Sequence, residues 1–296
     1  MSLSQAEITA KEIELAGESL MKKAVKRLLK KRAAMVGLVI VLIAIFVAVF
    51  APWVAPHDPS FQNPRNANQP PSAEYRLGTD HLGRCVLSRI IFGSRISLSV
   101  GLVVTFFRAL IGIPLGLIAG YSGGRIDSVI MRISDTFIAF PGILLAISIM
   151  AIFGPGLNNV ILALSIVGWP QYTRLVRGQT LSLKEIEFIE ASRALGMRVS
   201  RIMTRHLLPN MLSTLIVYTT LGLATPIVAE ASLSFLGLGV QPPTVSWGRM
   251  LSEGRRFLRF APWTTTYTGI VITITVLGYN LLGDGLRDAL DPRLKD

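Results

Sequence analysis

The chain has 296 residues, 51% of them hydrophobic and 16% charged, with a formal net charge of +12. That balance disfavours a soluble protein, in which about a quarter of the residues are charged. A single cysteine, Cys85, excludes an internal disulfide framework and a multi-thiolate metal site.

The chain opens on a polar arm (residues 1–32) that ends in the basic run "KKAVKRLLKKR" (22–32). Such a run next to a span anchors on anionic headgroups, and its basic residues need no nucleic acid to explain them. Residues 33–54 then form an apolar stretch longer than a signal-peptide core, which predicts an uncleaved first span. Further low-charge windows follow at 96–120, interrupted by Arg108, and at 136–173, 207–229 and 261–283. The 136–173 window is too long for one crossing. "GPGLNN" (154–159) cuts it, because Gly-Pro-Gly cannot continue a helix and suits a turn. The expectation is an all-α integral membrane protein with six transmembrane helices. Its parts would be the arm, the first span (33–55), an extracytoplasmic segment (56–95), a five-helix core (96–283) and a tail (284–296).

An even number of spans leaves both termini on one side. Of the 30 Lys and Arg residues, 20 fall in the arm, residues 121–132, residues 174–209 and the tail; 9 fall in the opposite loops, and Arg108 lies within a span. The positive-inside rule therefore places both termini in the cytoplasm. On that side, residues 174–210 form a connection longer than a helix bundle needs. Helix formers over 185–195, a break at Gly196 and a second run over 198–208 ending at Pro209 predict a helix, a sharp turn and another helix.

Within that loop, Glu190-Ala191-Ser192, three residues, Gly196, nine residues, His206, one residue, then Leu208-Pro209 resembles the EAA loop of ABC importer permeases (E-A-A-x3-G-x9-I-x-L-P). Ser192 replaces an Ala of that pattern, and His206 stands at its Ile position. "LGTDHLGRCVLSRIIFGSRISLSVG" (77–101), "ASLSFLGLGVQPPTVSWGRML" (231–251) and "NLLGDGLRDALDPRL" (280–294) are similar to the C-type subunit of the peptide and nickel permease family. Cys85 stands where that family usually has the Asp of "GRD". The resemblance implies the type I ABC importer permease fold in a bacterial or archaeal cell membrane. It also implies a homologous second permease, two cytoplasmic ATPases that bind the ATP and Mg, and an extracytoplasmic substrate-binding protein. The cargo would be a di- or oligopeptide, with glutathione or nickel as alternatives. The loop's short helix would dock in a groove of an ATPase.

Other residues carry weaker signals. Arg108 is the one charge near mid-span, where it either faces the translocation path and attracts a carboxylate, or pairs with a neighbouring acid, or snorkels. Asp135 and Glu230 fall near opposite ends of their spans, where they suit structural or gating roles. Gly78, Asp80, Gly83 and Arg84 read as a turn and helix start at the outer mouth, with Asp80 as N-cap. His81 and Cys85 would share a helix face, but two ligands are too few for a metal site. No G-x-x-x-x-G-K-[ST] run and no catalytic triad pattern are present, so the chain is expected to bind no ATP and to be no enzyme. An ion-gradient-driven secondary transporter or channel remains the rival. It predicts paired intramembrane acids and broken helices in inverted repeats.

Overall fold

A computed structural model describes residues 26–290. Expectations for residues 1–25 and 291–296, most of the polar arm and the end of the tail, lie outside the described residues. The architecture is all-helical, and a lone bridge between Thr79 and Cys85 is the nearest approach to a strand among the described residues.

Helix α1 (Arg32–Val49) is apolar on all sides, with Val39, Leu42, Ile43 and Phe46 left exposed, as suits a lipid-facing helix. Helix α2 (Val86–Ser122) begins ten residues before the expected span and runs 37 residues, about 55 Å at 1.5 Å per residue. Two helices meeting at 91°, α3 (Gly124–Ala139) and α4 (Gly142–Phe153), replace the single third span that the sequence suggests. The bend sits at Phe140-Pro141, where proline disfavours helical backbone in the residue before it. A turn follows with Gly154 and Gly156 at φ +82° and +150°, as "GPGLNN" suggests. Then come α5 (Leu157–Leu183), two short loop helices α6 (Glu187–Ala194) and α7 (Val199–Ile202), the tandem α8 (Leu212–Gly222) and α9 (Ala224–Phe235), α10 (Trp247–Gly254) and α11 (Trp263–Leu290).

Four segments are long and apolar enough to cross a membrane, namely α1, α2, the α8–α9 tandem and α11; the bent α3–α4 pair adds a fifth. Helix α5 is long enough, but Gln171, Arg174 and Arg177 lower its apolar character.

Close backbone approach organises the bundle. Gly112, Gly116 and Gly120 recur every fourth residue on the α2 face that meets α5. A methyl group at Gly112 would lie 2.4 Å from Tyr172 Cβ, and one at Gly116 would lie 2.7 Å from Thr173 O and from Val176 Cβ. At Gly120 it would lie 2.6 Å from Thr180 Cβ. The partners climb in step with the glycines, so α2 and α5 run parallel. Lipid tails are as apolar as leucine, so helices in a bilayer gain by tight packing rather than by burial, and small residues permit it. The Thr173 hydroxyl adds a 3.2 Å hydrogen bond to the Gly112 carbonyl. A second such seam joins α1 and α11 in antiparallel fashion: Gly37 lies against the Gly278 carbonyl and the Leu282 amide, and Gly285 against Ala34. Lys31 pairs with Asp288, so the two described chain ends meet.

Gly116→Val is expected to lower the thermal stability of the detergent-solubilised chain by about 1–3 kcal/mol or more, because the backbones must separate. Gly178→Ala is the control, since an added Cβ there meets nothing within 4 Å. It should be neutral or stabilising, read as the fraction remaining monodisperse after heating.

Candidate functional site: a docking loop, a mid-span arginine and an outer charge cluster

The loop between α5 and α8 is sealed onto the bundle by its apolar side. Ile189, Ile202, Leu207 and Met211 are fully buried and pack with Leu117 and Val176 of α2 and α5. Two further contacts fix it: Lys184 donates to the Gly120 carbonyl at 3.2 Å, and the Arg193 guanidinium lies 5.4 Å from the Tyr121 ring centroid. The break falls at Gly196, as the sequence suggests. Its φ is +73°, the Gly196 amide donates to Arg193 O, and the Met197 amide donates to Ser192 O, a Schellman-type helix end that favours glycine.

The second arm is helical over 199–210, in line with the helix expected over 198–208, but it is not uniformly α-helical. It is α7, then one wide π turn over Met203–Leu207, then a short turn over Leu208–Asn210. Pro209 has no N–H and its ring crowds the carbonyl four residues back, which a wider turn relieves. Asn210 Nδ2 donates to the His206 carbonyl at 2.6 Å.

The loop residues predicted for coupling fall into two groups. Glu190, Ala191 and Gly196 are exposed, and between them at the tip stands Leu195, 86% exposed. Met197, Arg198, Arg201 and Arg205 line a concave patch beside it. The others face inward or act locally: Ser192 Oγ donates to Phe188 O at 2.7 Å, the His206 ring meets the Phe188 ring edge-on at 6.1 Å, and Leu208 packs toward the core. Sequence reasoning missed Leu195, although a leucine at a predicted helix end before Gly196 was a visible signal.

Arg108 is 92% buried between α2 and α5, its side chain pressed against Gly168. Its Nε donates to the Leu164 carbonyl at 3.0 Å, and no carboxylate pairs with it among the described residues. The neighbouring-acid alternative is therefore unsupported. On α5 and α8 the rings of Tyr172 and Tyr218 meet edge-on at 4.9 Å, and Tyr218 Oη donates to Gln171 Oε1 at 3.5 Å. None of these three was singled out in the sequence. Asp135 pairs with Arg174 at 2.6 Å and Asp127 takes both ends of Arg177, ties that hold α3 to α5. Glu230 is fully buried; its Oε1 accepts from Ser234 at 2.6 Å and Ser246 at 2.9 Å, which joins α9 to the start of α10.

At the opposite end of α2 from the loop, residues 55–85 fold as an irregular strap. Gly78 and Gly83 have φ of +76° and +72°, and a side chain at Gly83 would strike the Asn63 carbonyl. Asp80 is not the helix N-cap. Its Oδ1 accepts from the Leu82 and Arg84 amides at 2.9 and 3.0 Å, which closes the turn around Gly83, and the N-cap is Cys85, without a side-chain hydrogen bond. His81 and Cys85 lie before α2 begins and share no helix face; His81 stacks on Phe257 instead. Asp80, His81 and Glu253 bring their ligand-type atoms within 4.8 Å of one another. Both carboxylates are already occupied: Asp80 by Arg84 and Arg89, Glu253 by Arg84, Arg89 and Arg249. A cation there would meet three guanidinium groups, so the cluster is an ion-pair network. Burial acts to raise the Glu253 carboxyl, but Arg89, Arg249 and Arg84 outweigh it and hold it at about 2. Burial pushes the His81 imidazole down.

Two carboxylates face three guanidiniums here, and the Nε of Arg89 is enclosed without a partner. Cys85→Asp would place a carboxylate at the N-cap one turn before Arg89, and it is expected to stabilise the chain by about 0.5–2 kcal/mol. The depressed Glu253 carboxyl contributes stability that is complete above the ordinary value of 4.5 and lost as pH falls from there toward about 2. Glu253→Gln should lower the melting temperature at neutral pH and flatten its decline below about pH 4.5.

Residues 112–296 match the family described as binding-protein-dependent transport system inner membrane component, and residues 19–71 match the N-terminal TM domain of oligopeptide transport permease C. The chain is 48% identical to the dipeptide transport system permease protein DppC of Alkalihalophilus pseudofirmus, covering 93% of this chain and 90% of that one. It is 47% identical to the glutathione transport system permease protein GsiD of Escherichia coli O157:H7, covering 91% and 89%. Against the oligopeptide transport system permease protein OppC of Bacillus subtilis it is 43% identical, covering 97% and 94%. An inward-facing structure of the MetNI methionine ABC transporter shares the fold, with a TM-score of 0.56 and 24% identity over 69% of this chain and 96% of that one. The chain belongs to the binding-protein-dependent transport system inner membrane components, among the C-type permease subunits of ABC peptide importers, and is a membrane subunit rather than an enzyme.

Proposed function

We propose that this chain forms half of the translocation pathway of a di- or oligopeptide importer and that its α5–α8 loop is the point at which a cytoplasmic ATPase drives it. The observation that carries this reading is the loop's division of labour: a buried side fused to α2 and α5, and a tip where Leu195 stands 86% exposed beside Glu190 and Ala191. Ile186, Phe188 and Val199 of the same short loop are also 42%, 42% and 47% exposed, which is more apolar exposure than an isolated surface residue and suits a docking surface. Six spans follow when α5 is counted with the four long segments and the bent pair. Both termini and the loop then lie in the cytoplasm, and the strap and charge cluster lie outside.

A homologous second permease completes the pathway, two ATPases bind the nucleotide, and an extracytoplasmic binding protein delivers the cargo. ATP-driven closure of the ATPases moves the loop as a rigid extension of α2 and α5, and access switches from one side to the other. Peptides are the favoured cargo because the relatives are named for dipeptides, oligopeptides and glutathione, all peptide-like.

Gly196→Pro cannot adopt φ +73° and Ala191→Trp fills the exposed helix face. Each is expected to cut ATP-driven peptide uptake at least about tenfold, or to prevent ATPase assembly, with membrane insertion unchanged. Normal uptake in both variants would contradict the coupling role. Competition of uptake by dipeptides, longer peptides, glutathione and Ni2+ ranks the cargo, with peptides expected to compete best.

A further inference from the structure

We infer that Arg108, held in the α2–α5 seam against Gly168, is a carboxylate-reading station on the pathway that recognises the free C-terminal carboxylate of a passing peptide. This rests on the pathway reading above. The guanidinium carries five N–H donors in a planar fork. One of them, on Nε, is fixed on the Leu164 carbonyl at 3.0 Å. The four on the two Nη atoms meet no acceptor among the described residues, and neither Nη is among the buried atoms sealed off without a partner. The stem is therefore locked and the fork is free.

The slot that holds the stem exists because residue 168 is glycine: a Cβ there would lie 2.0 Å from Arg108 Nε and 2.4 Å from Cζ. The charge therefore lies in the α2–α5 seam, while Phe106, Phe107 and Leu110 of its own helix are exposed. On α5 and α8 the hydroxyls of Tyr172 and Tyr218 are used elsewhere, Tyr172 donating to Thr219 at 3.3 Å and Tyr218 to Gln171 at 3.5 Å. Gln171 and Arg174, three and six residues past Gly168 on α5, are both exposed. A guanidinium fixed at Nε with its two Nη atoms unpaired among the described residues suits a planar anion bound through two parallel N–H bonds. Carboxylate is the one anionic group common to peptides of every sequence, which fits a station serving many cargoes.

The test uses the complete importer in proteoliposomes with its binding protein saturated. It compares ATP-driven uptake of a neutral tripeptide, its C-terminal amide, and an amide carrying one glutamate. In the unchanged chain the free acid should be taken up faster than either amide. Arg108→Gln should reduce free-acid uptake about tenfold or more and leave amide uptake and binding-protein-stimulated ATP hydrolysis unchanged. Arg108→Lys, which keeps the charge and assembly but loses the fork, should fall between. Equal loss of acid and amide uptake in the Lys variant, or no loss in either variant, would overturn the station. Arg108-dependent uptake of the glutamate-bearing amide would overturn its assignment to the C-terminus. Uptake independent of ATP in the unchanged chain would instead overturn the pathway reading, and the station with it.

Discussion

The parallel contact of α2 against α5 is the constraint on which the other features depend. Three glycines spaced every fourth residue remove the side chains that would hold the two backbones apart, and the Thr173 hydroxyl donates to the buried Gly112 carbonyl. With the helices this close, an arginine on one can reach through a glycine gap in the other, which is the position of Arg108 at Gly168. The end of the same pair proposed to face the cytoplasm holds the residues that receive the loop: Leu117, Gly120 and Tyr121 from α2, Val176 about two turns before the end of α5, and Lys184 just beyond it. At its other end α2 begins in the Asp80, Arg84, Arg89 and Glu253 cluster. One long helix therefore joins the strap, the mid-span charge and the docking loop.

That arrangement suits the proposed importer. A push at the loop is carried by buried side chains rather than by a flexible tether, because Ile189, Ile202, Leu207 and Met211 leave no space at its base. The wide turn at Met203–Leu207 and the 91° bend between α3 and α4 are two irregular points among the described residues. Rigid seams and a few irregular joints are what a two-position device needs, since packed interfaces switch between discrete arrangements instead of deforming continuously.

The legible part of the fold was the part written in local pattern. Apolar windows placed α1, the α8–α9 tandem and α11 closely, and Gly196 announced its left-handed turn through its position between two helix-forming runs. What stayed hidden was set by distance along the chain. Glu253 pairs with Arg84 across 169 residues, and Arg108 finds Leu164 across 56, so neither contact leaves a mark in a local window. The N-cap expected at Asp80 is taken by Cys85, because the Asp80 side chain is used up in closing the turn around Gly83 and in holding two arginines. The second arm of the loop read as plain helix since its composition favours one, and only the ring of Pro209 widens it.

The central claim is that the loop tip touches the motor, and a photo-reactive residue in place of Leu195 reads that contact directly. In membranes holding the whole assembly, the account predicts a cross-link from position 195 to an ATPase subunit, with a yield that differs between nucleotide-free and ATP-trapped states. An intact, transport-competent assembly that gives no ATPase adduct from this position in either state would contradict it.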